Sequence, residues 1–367
     1  MGSARSGGRR VSAIAPERMT GDRPSSVLFI CDFPPGFSGA KHRAEGVGGT
    51  EALVVVLAET LAAREITVTV ATRTPGESRE RAVSYVPIDA ARPREAGVTV
   101  LVKRWSEAAA AAGPVRVFLA TDVHVPDPAE LARSISWSTV SAALSAFMRD
   151  SLTAVVTAPG MEVLPPPVAL GDYPNPDEWR SPVLLYCSVP DRGLYYLKDI
   201  FPAIRRRVAG ATLVITSDFT LWGRAGARDA FMRFFEGQPG VEYLGHVERS
   251  RLVSEQLRAR VLAYPCTFEE GFCIAAAECM AAGAVPVTTN AFALTTTVGA
   301  SGVLIDGRPR SWFYRRKFVN AATRLLTDDK YWRDRSMACR SQARSWDASV
   351  VAGQFLALVA GTRKDGG

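Results

Sequence analysis

"EEGFCIAAAECMAAGAVPVTT" runs from Glu269 to Thr289 and sets three carboxylates in a small-sided apolar stretch. Glu269 and Glu270 precede the apolar run, and Glu278 stands inside it. The run from about Ile274 to Ala282 reads as a helix. Gly283, Pro286 and the β-branched residues beyond read as a stop followed by a buried strand. An acid before a helix needs no ligand, because the macrodipole favours it there, so Glu270 alone fits an ordinary core helix. Glu278 fits poorly. Ala275, Ala276, Ala277, Met280, Ala281 and Ala282 surround it with small or apolar groups, and a partly buried charge without a partner is costly. The first amides of such a helix also form a ready anion site. Gly271 lets a ligand approach the backbone closely. Two carboxylates around an anion-binding helix end describe a sugar–phosphate site, with phosphates on the amides and hydroxyls on Glu270 and Glu278.

Outward from this stretch the chain alternates strands and helices. Upstream come strand "VLLYCSV", helix "LYYLKDIFPAIRRRV", strand "TLVITS", helix "ARDAFMRFFEG", strand "VEYLGHV", helix "RSRLVSEQLRA" and strand "RVLAYPC". Before them, "LPPPVALGDYPNPDEWRSP" crowds prolines with no periodicity, which is a linker signal. Further back lie strand "SVLFICDF", a Gly-rich loop ending "GVGGT", helix "TEALVVVLAETLAAR" with Thr50 as its N-cap, and strand "ITVTVAT". Strands "AGVTVLVKRW" and "VRVFLATDVH" follow with "SEAAAAAG" helical between them, then helix "TVSAALSAFMRDSL" and strand "AVVTAP". Such alternation predicts parallel sheets covered on both faces. The expected division is a disordered extension over 1–23, a first domain over 24–165, a linker over 166–181 and a second domain over 182–345. An amphipathic helix over 346–362 closes the chain.

The 367 residues are 47% hydrophobic and 22% charged, with a formal charge of +7. That is an ordinary soluble composition of about two domains, able to take anionic ligands or a weak peripheral membrane contact. Six cysteines, with no CxxC and no zinc-type spacing, read as reduced thiols of a cytoplasmic protein. There is no P-loop and no nucleophile elbow. "GVGGTE" resembles a dinucleotide fingerprint, but Glu51 stands where the third Gly would pack the helix on its strand. No Asp-x-Asp exists to hold a diphosphate through a divalent ion, and three histidines leave little scope for a metal site, so no metal or cofactor is expected. Nothing suggests nucleic acid.

The spacing of Glu270 and Glu278, seven residues between them, followed by "CMAAGAVPV", resembles the E-x7-E motif of retaining glycosyltransferases of family 4. The resemblance extends over roughly residues 24–362, through "GVGGTEALVVVLAETLAAREITVTVATR", "SPVLLYCSVPDRGLYYLKDIFPAIRRRVAGATLVITS", "LGHVERSRLVSEQLRARVLAYPCTFEEGF" and "SWDASVVAGQFLALV". It implies the α/β GT-B fold: two Rossmann-like, doubly wound parallel-sheet domains facing a central cleft, with the C-terminal helix crossing back to the first domain. It further implies a hexose-type sugar moving from a nucleotide diphosphate sugar to an acceptor hydroxyl or amine, with retention and without a metal. A small antibiotic-type acceptor and an envelope glycan are both open.

Residue by residue, the resemblance implies that Glu278 holds the ribose hydroxyls and Glu270 the donor sugar. The backbone at Phe272, Cys273 and Ile274 would face the sugar and diphosphate beside Gly271. Arg192, in "PDRG", would neutralise the diphosphate. Gly48 and Gly49 would approach from the other domain, and His124 would line the donor–acceptor junction. The chain departs from the family at Cys187, where a second basic residue is common, and at Cys273, often a Gly. The diphosphate charge would then fall to Arg192 with helix amides, or to Lys41 or Arg43. A sugar-nucleotide epimerase or phosphorylase on the same fold, and a non-catalytic binding module, are the alternatives.

Overall fold

The computed structural model describes residues 23–156, 160–174, 180–222 and 231–364. The disordered extension expected at the start lies, but for residue 23, outside them, as do residues 227–230 of the helix expected at "ARDAFMRFFEG"; of its described part, only 231 and 232 are helical and 233–237 are turns.

Two sheets organise the described residues. The first contains β1 (Ser26–Cys31), β2 (Thr67–Thr72), β3 (Ser78–Glu80), β4 (Val83–Pro87), β5 (Val98–Val102), β6 (Arg116–Leu119), β7 (Val140–Ala143) and β8 (Glu162–Val163). Their order is β3-β4-β2-β1-β5-β6-β7-β8, parallel throughout except where β3 meets β4. The second contains β9 (Val183–Tyr186), β10 (Thr212–Ile215), β11 (Val241–Tyr243), β12 (Val261–Tyr264), β13 (Val285–Thr289) and β14 (Val303–Ile305). It runs β11-β10-β9-β12-β13-β14, all parallel. The central strands are continuous apolar runs, and every residue of β9, β12 and β13 is buried, as strands covered by helices on both faces must be.

In each sheet the chain moves out from a central strand and then returns to its other side. The reversal falls between β1 and β5 in the first sheet and between β9 and β12 in the second. Loops leaving the carboxyl ends of such strands open a crevice at the switch point. The loops after β1, β5, β9 and β12 therefore bring Gly48, Lys103, Arg192 and Glu270 to one place.

The chain returns to its first domain at the end. Helix Ala348–Lys364 packs on helix Gly49–Ala62, burying Val351, Ala352 and Phe355. The Phe355 ring stacks on Phe29 of β1 at 6.4 Å. Where the returning chain crosses the segment after Pro165–Pro167, the Val168 amide donates to the Trp346 carbonyl at 2.7 Å and the Ala348 amide to the Val168 carbonyl at 3.0 Å.

Several local expectations are corrected. "SEAAAAAG" is only a short 3-10 turn, Glu107–Ala109; a few alanines do not nucleate a helix without tertiary support. "TVSAALSAFMRDSL" divides into β7 and helix Ala146–Val155. Ser145 makes the division, its hydroxyl accepting from the Met148 amide at 3.1 Å. "AVVTAP" is no strand where it is described, since Ala154 and Val155 finish that helix. The N-cap of helix Gly49–Ala62 is Gly48, not Thr50, whose hydroxyl instead meets Thr121 at 3.2 Å. Helices Pro128–Trp137, Trp312–Thr327 and Asp329–Ala343 complete the layers.

Candidate active site

A crevice of about 720 Å3 lies between the two sheets. It gathers Glu270, Arg192, His124, Glu278, Gly48, Gly49, Gly271, Phe272, Cys273 and Ile274 along one lining, so the expected residues converge.

The second wall is built on helix Ile274–Ala282. Its N-cap, Cys273, has φ of 76°, the left-handed region where a Cβ is strained. This explains why a Gly suits the position. Cys273 is nevertheless buried, and burial pushes its thiol well above the ordinary range. It is a neutral packing group. Phe272 packs its ring edge-to-face on Trp346 at 5.2 Å. With no side chain capping the helix start, the first amides open on the crevice. At the other end Arg180 donates to the Ala282 carbonyl, a cation where the dipole favours one.

Glu278 has a partner. Its Oε1 accepts from Arg249 Nη1 at 2.8 Å and its Oε2 from Gln256 Nε2 at 3.1 Å. Both donors stand on helix Arg249–Arg258. Arg249 also donates to the Tyr173 hydroxyl at 2.9 Å, and Tyr173 donates to Gln256 Oε1 at 2.8 Å. The expectation of an unpaired charge among alanines is thereby corrected. The packing face of the helix is closed by an ion-paired network, and each carboxylate oxygen still has a lone pair for a further donor. Burial opposes the Arg249 charge, but Glu278, with Tyr173 and Asp172, more than offsets it and holds the guanidinium above its usual range.

Glu270, also buried, accepts on Oε1 from Arg192 Nη1 at 3.1 Å and from the Tyr264 hydroxyl. Arg192 lies in the turn after β9, its guanidinium 3.9 Å over the Phe268 ring. Burial disfavours its charge, and Glu270, with Tyr264 and Cys273, restores it with a net rise. Cys187 brings no charge; its Sγ lies 3.8 Å from Cys279 Sγ.

The first domain supplies the opposite wall. A Cβ on Gly49 would lie 3.3 Å from Ile274 Cδ1, and one on Gly271 would lie 3.0 Å from Val123 Cγ2, so the two sides approach each other closely at both glycines. Ser145 donates across the same seam to the Gly271 carbonyl at 2.6 Å. His124 is exposed at the rim. Lys41 and Arg43, the other cations expected near the diphosphate, do not line the crevice. Lys41 donates to the Gly36 carbonyl at 3.2 Å, and Arg43 pairs with Glu59 at 2.6 Å and Glu80 at 3.3 Å. Lys103 reaches the crevice instead, paired with Asp122 at 2.9 Å.

Sequence reading missed Arg249, Gln256, Tyr264 and Lys103. Arg249 carried a signal: it opens its helix, where cations are disfavoured.

Residues 181–328 match the family model described as glycosyl transferases group 1. The GDP-mannose-dependent alpha-(1-6)-phosphatidylinositol monomannoside mannosyltransferase of Mycobacterium tuberculosis is 28% identical over 268 residues, covering 64% of this chain and 66% of its own length. Sucrose-phosphate synthase from Thermosynechococcus elongatus superposes with a TM-score of 0.69 at 16% identity, covering 90% of this chain and 97% of its own. Anabaena Alr3699/HepE in complex with UDP-glucose does so with a TM-score of 0.69 at 14% identity, covering 93% and 99%. Residues 181–328 are thus similar to the group 1 glycosyl transferases, and the chain's two-domain architecture is GT-B.

Proposed function

We propose that this protein transfers a hexose-type sugar from a nucleotide diphosphate sugar to an acceptor hydroxyl, with retention at the anomeric carbon and without a metal. One observation carries the reading: Glu270 and Glu278 line a single crevice beside Arg192, at the open amide end of helix Ile274–Ala282.

Glu278, held by Arg249 and Gln256, presents a fixed carboxylate to the ribose hydroxyls. The diphosphate lies against the amides from Cys273 onward and Arg192. These groups are in place before the reaction, so they stabilise the departing charge without reorganising. Glu270, set by Arg192 and Tyr264, orients the sugar hydroxyls. The bond from the anomeric carbon to the diphosphate oxygen breaks. The acceptor oxygen bonds to the same face, and its proton passes to the departing diphosphate.

The test is a thermal-shift panel of GDP-, UDP- and dTDP-sugars. GDP-mannose, named as donor for the mycobacterial relatives, comes first. A donor at ~100 times its Kd adds about 2.7 kcal/mol of stability. Transfer is then followed by NMR of the anomeric proton, with and without EDTA. Consumption of the donor without any acceptor favours an epimerase or phosphorylase, binding without turnover favours a binding module, and inversion or loss of transfer on chelation refutes the mechanism.

A further inference from the structure

Trp312 and Phe313 are 62% and 72% exposed, and with Met337 they are the most exposed large apolar side chains among the described residues. Their rings sit edge-to-face at 5.1 Å. They open helix Trp312–Thr327, and this end is anchored: Tyr314 is buried, its hydroxyl 2.9 Å from Thr289 Oγ1. The pair is a seated wedge on a formed helix.

Cations dominate the charge around the wedge, with Asp306 the one acid in the loop that leads into it. Residues 307–327 contain Arg308, Arg310, Arg315, Arg316, Lys317 and Arg324 and no Asp or Glu. Arg315 pairs with Asp199 and Arg324 with Asp328. Arg308, Arg310, Arg316 and Lys317 are exposed and make no ion pair among the described residues. Arg316 lies 5.3 Å over the Trp312 ring. Cations beside a helix N-terminus oppose the dipole, so this arrangement costs stability in the isolated protein and favours an anionic surface in front of it. The wedge follows β14, and the loop after β14 is tied to the loop after β13 by Asn290 and Asp306 at 2.7 Å. It therefore stands at the crevice end of the second sheet.

We propose that this surface docks the second domain on an anionic phospholipid bilayer, Trp312 and Phe313 entering the headgroup layer and the four exposed cations meeting lipid phosphates. Aromatic rings that are apolar in the body suit that layer, and basic residues beside them add affinity for anionic lipid. Two rings expose far less apolar surface than a stable protein interface of ~800 Å2 per partner requires, which disfavours a protein occupant. The proposal does not depend on the transferase reading, because binding to vesicles needs no turnover.

The experiment is co-sedimentation of the full chain with phosphatidylcholine vesicles, with and without a phosphatidylglycerol fraction, at ~0.1 M salt. The expected result is binding that requires the anionic lipid and is released by raised salt. Arg316→Glu with Lys317→Glu lowers the partition coefficient by at least about thirtyfold, the loss expected for two membrane-apposed cations. Trp312→Ser with Phe313→Ser weakens binding at an unchanged melting temperature; should that variant fold poorly, the charge reversal carries the test alone. Absence of binding to anionic vesicles, equal binding to neutral ones, or an undiminished charge-reversal variant overturns the proposal. So does self-association by light scattering, or capture by a soluble polyanion, that the variants abolish while vesicles are ignored.

Discussion

Replacing Arg249 by Met should destabilise the second domain more than replacing Glu278 by Gln. The two side chains are each 12% exposed and 2.8 Å apart. At an effective dielectric near 20, unit charges ~4 Å apart attract by about 4 kcal/mol. Arg249→Met strands a buried carboxylate with Gln256 as its remaining donor, at a cost of roughly 3–5 kcal/mol. Glu278→Gln leaves Arg249 with Tyr173 at 2.9 Å and Asp172 at 3.4 Å, so it costs roughly 1.5–3 kcal/mol. The double variant removes both charges and should lose less than the sum, by at least ~2 kcal/mol. Urea denaturation of the four proteins gives the coupling directly. Additivity within ~0.5 kcal/mol would refute the pair as an energetic unit. On the folded Glu278→Gln protein, calorimetry should show nucleoside diphosphate binding weaker by tenfold or more. Unchanged affinity with lowered stability would make Glu278 a structural residue only.

Three further outcomes follow from the site. Glu270→Gln should keep diphosphate affinity within about threefold while kcat falls, and Arg192→Ala should lose both, turnover further, because it removes charge from the leaving group; equal loss of affinity in the two variants ends that division of labour. Cys273→Gly relieves a left-handed φ and gives up a buried side chain, so its stability should stay within ~1 kcal/mol of the parent, whereas β-branched Cys273→Val should lose more than ~2 kcal/mol; the order of their denaturation midpoints decides. Burial, then Arg249 and Arg43, lowers the pKa of His42 from 6.5 to about 4. The unfolded chain therefore takes up the proton first as pH falls. Stability should drop between about pH 6.5 and pH 4 by up to ~3 kcal/mol and level below, and a His42→Gln protein with an equally steep stability profile would assign the effect elsewhere.

The fold was legible because buried parallel strands are continuous apolar runs, as in β9, β12 and β13, and because Glu270, Gly271 and Glu278 keep a spacing that survives in sequence. The extent of the second wall was not. Arg249 and Gln256 reach Glu278 from a helix more than twenty residues upstream, and side-chain pairing across helices leaves no local pattern. Short elements were misread for a related reason. Ser145 divides a strand from a helix with one hydroxyl, and the alanines near Ala109 have propensity but no partner face. Lys41 and Arg43 looked available because charge is visible in sequence, while the carboxylates of Glu59 and Glu80 that occupy Arg43 become neighbours only when the sheet forms.

Helix Ala348–Lys364 has a consequence for how the protein is made. During synthesis the strands of the first sheet leave the ribosome long before Phe355, yet Phe355 and Val351 complete the core beside Phe29 and helix Gly49–Ala62. Until translation reaches them, the first domain has an open apolar side, while the second domain can close on its own strands. The domain made first is therefore finished last. A nascent chain stalled before Ala348 should be held by chaperones through its first half, the region where exposed apolar surface persists longest.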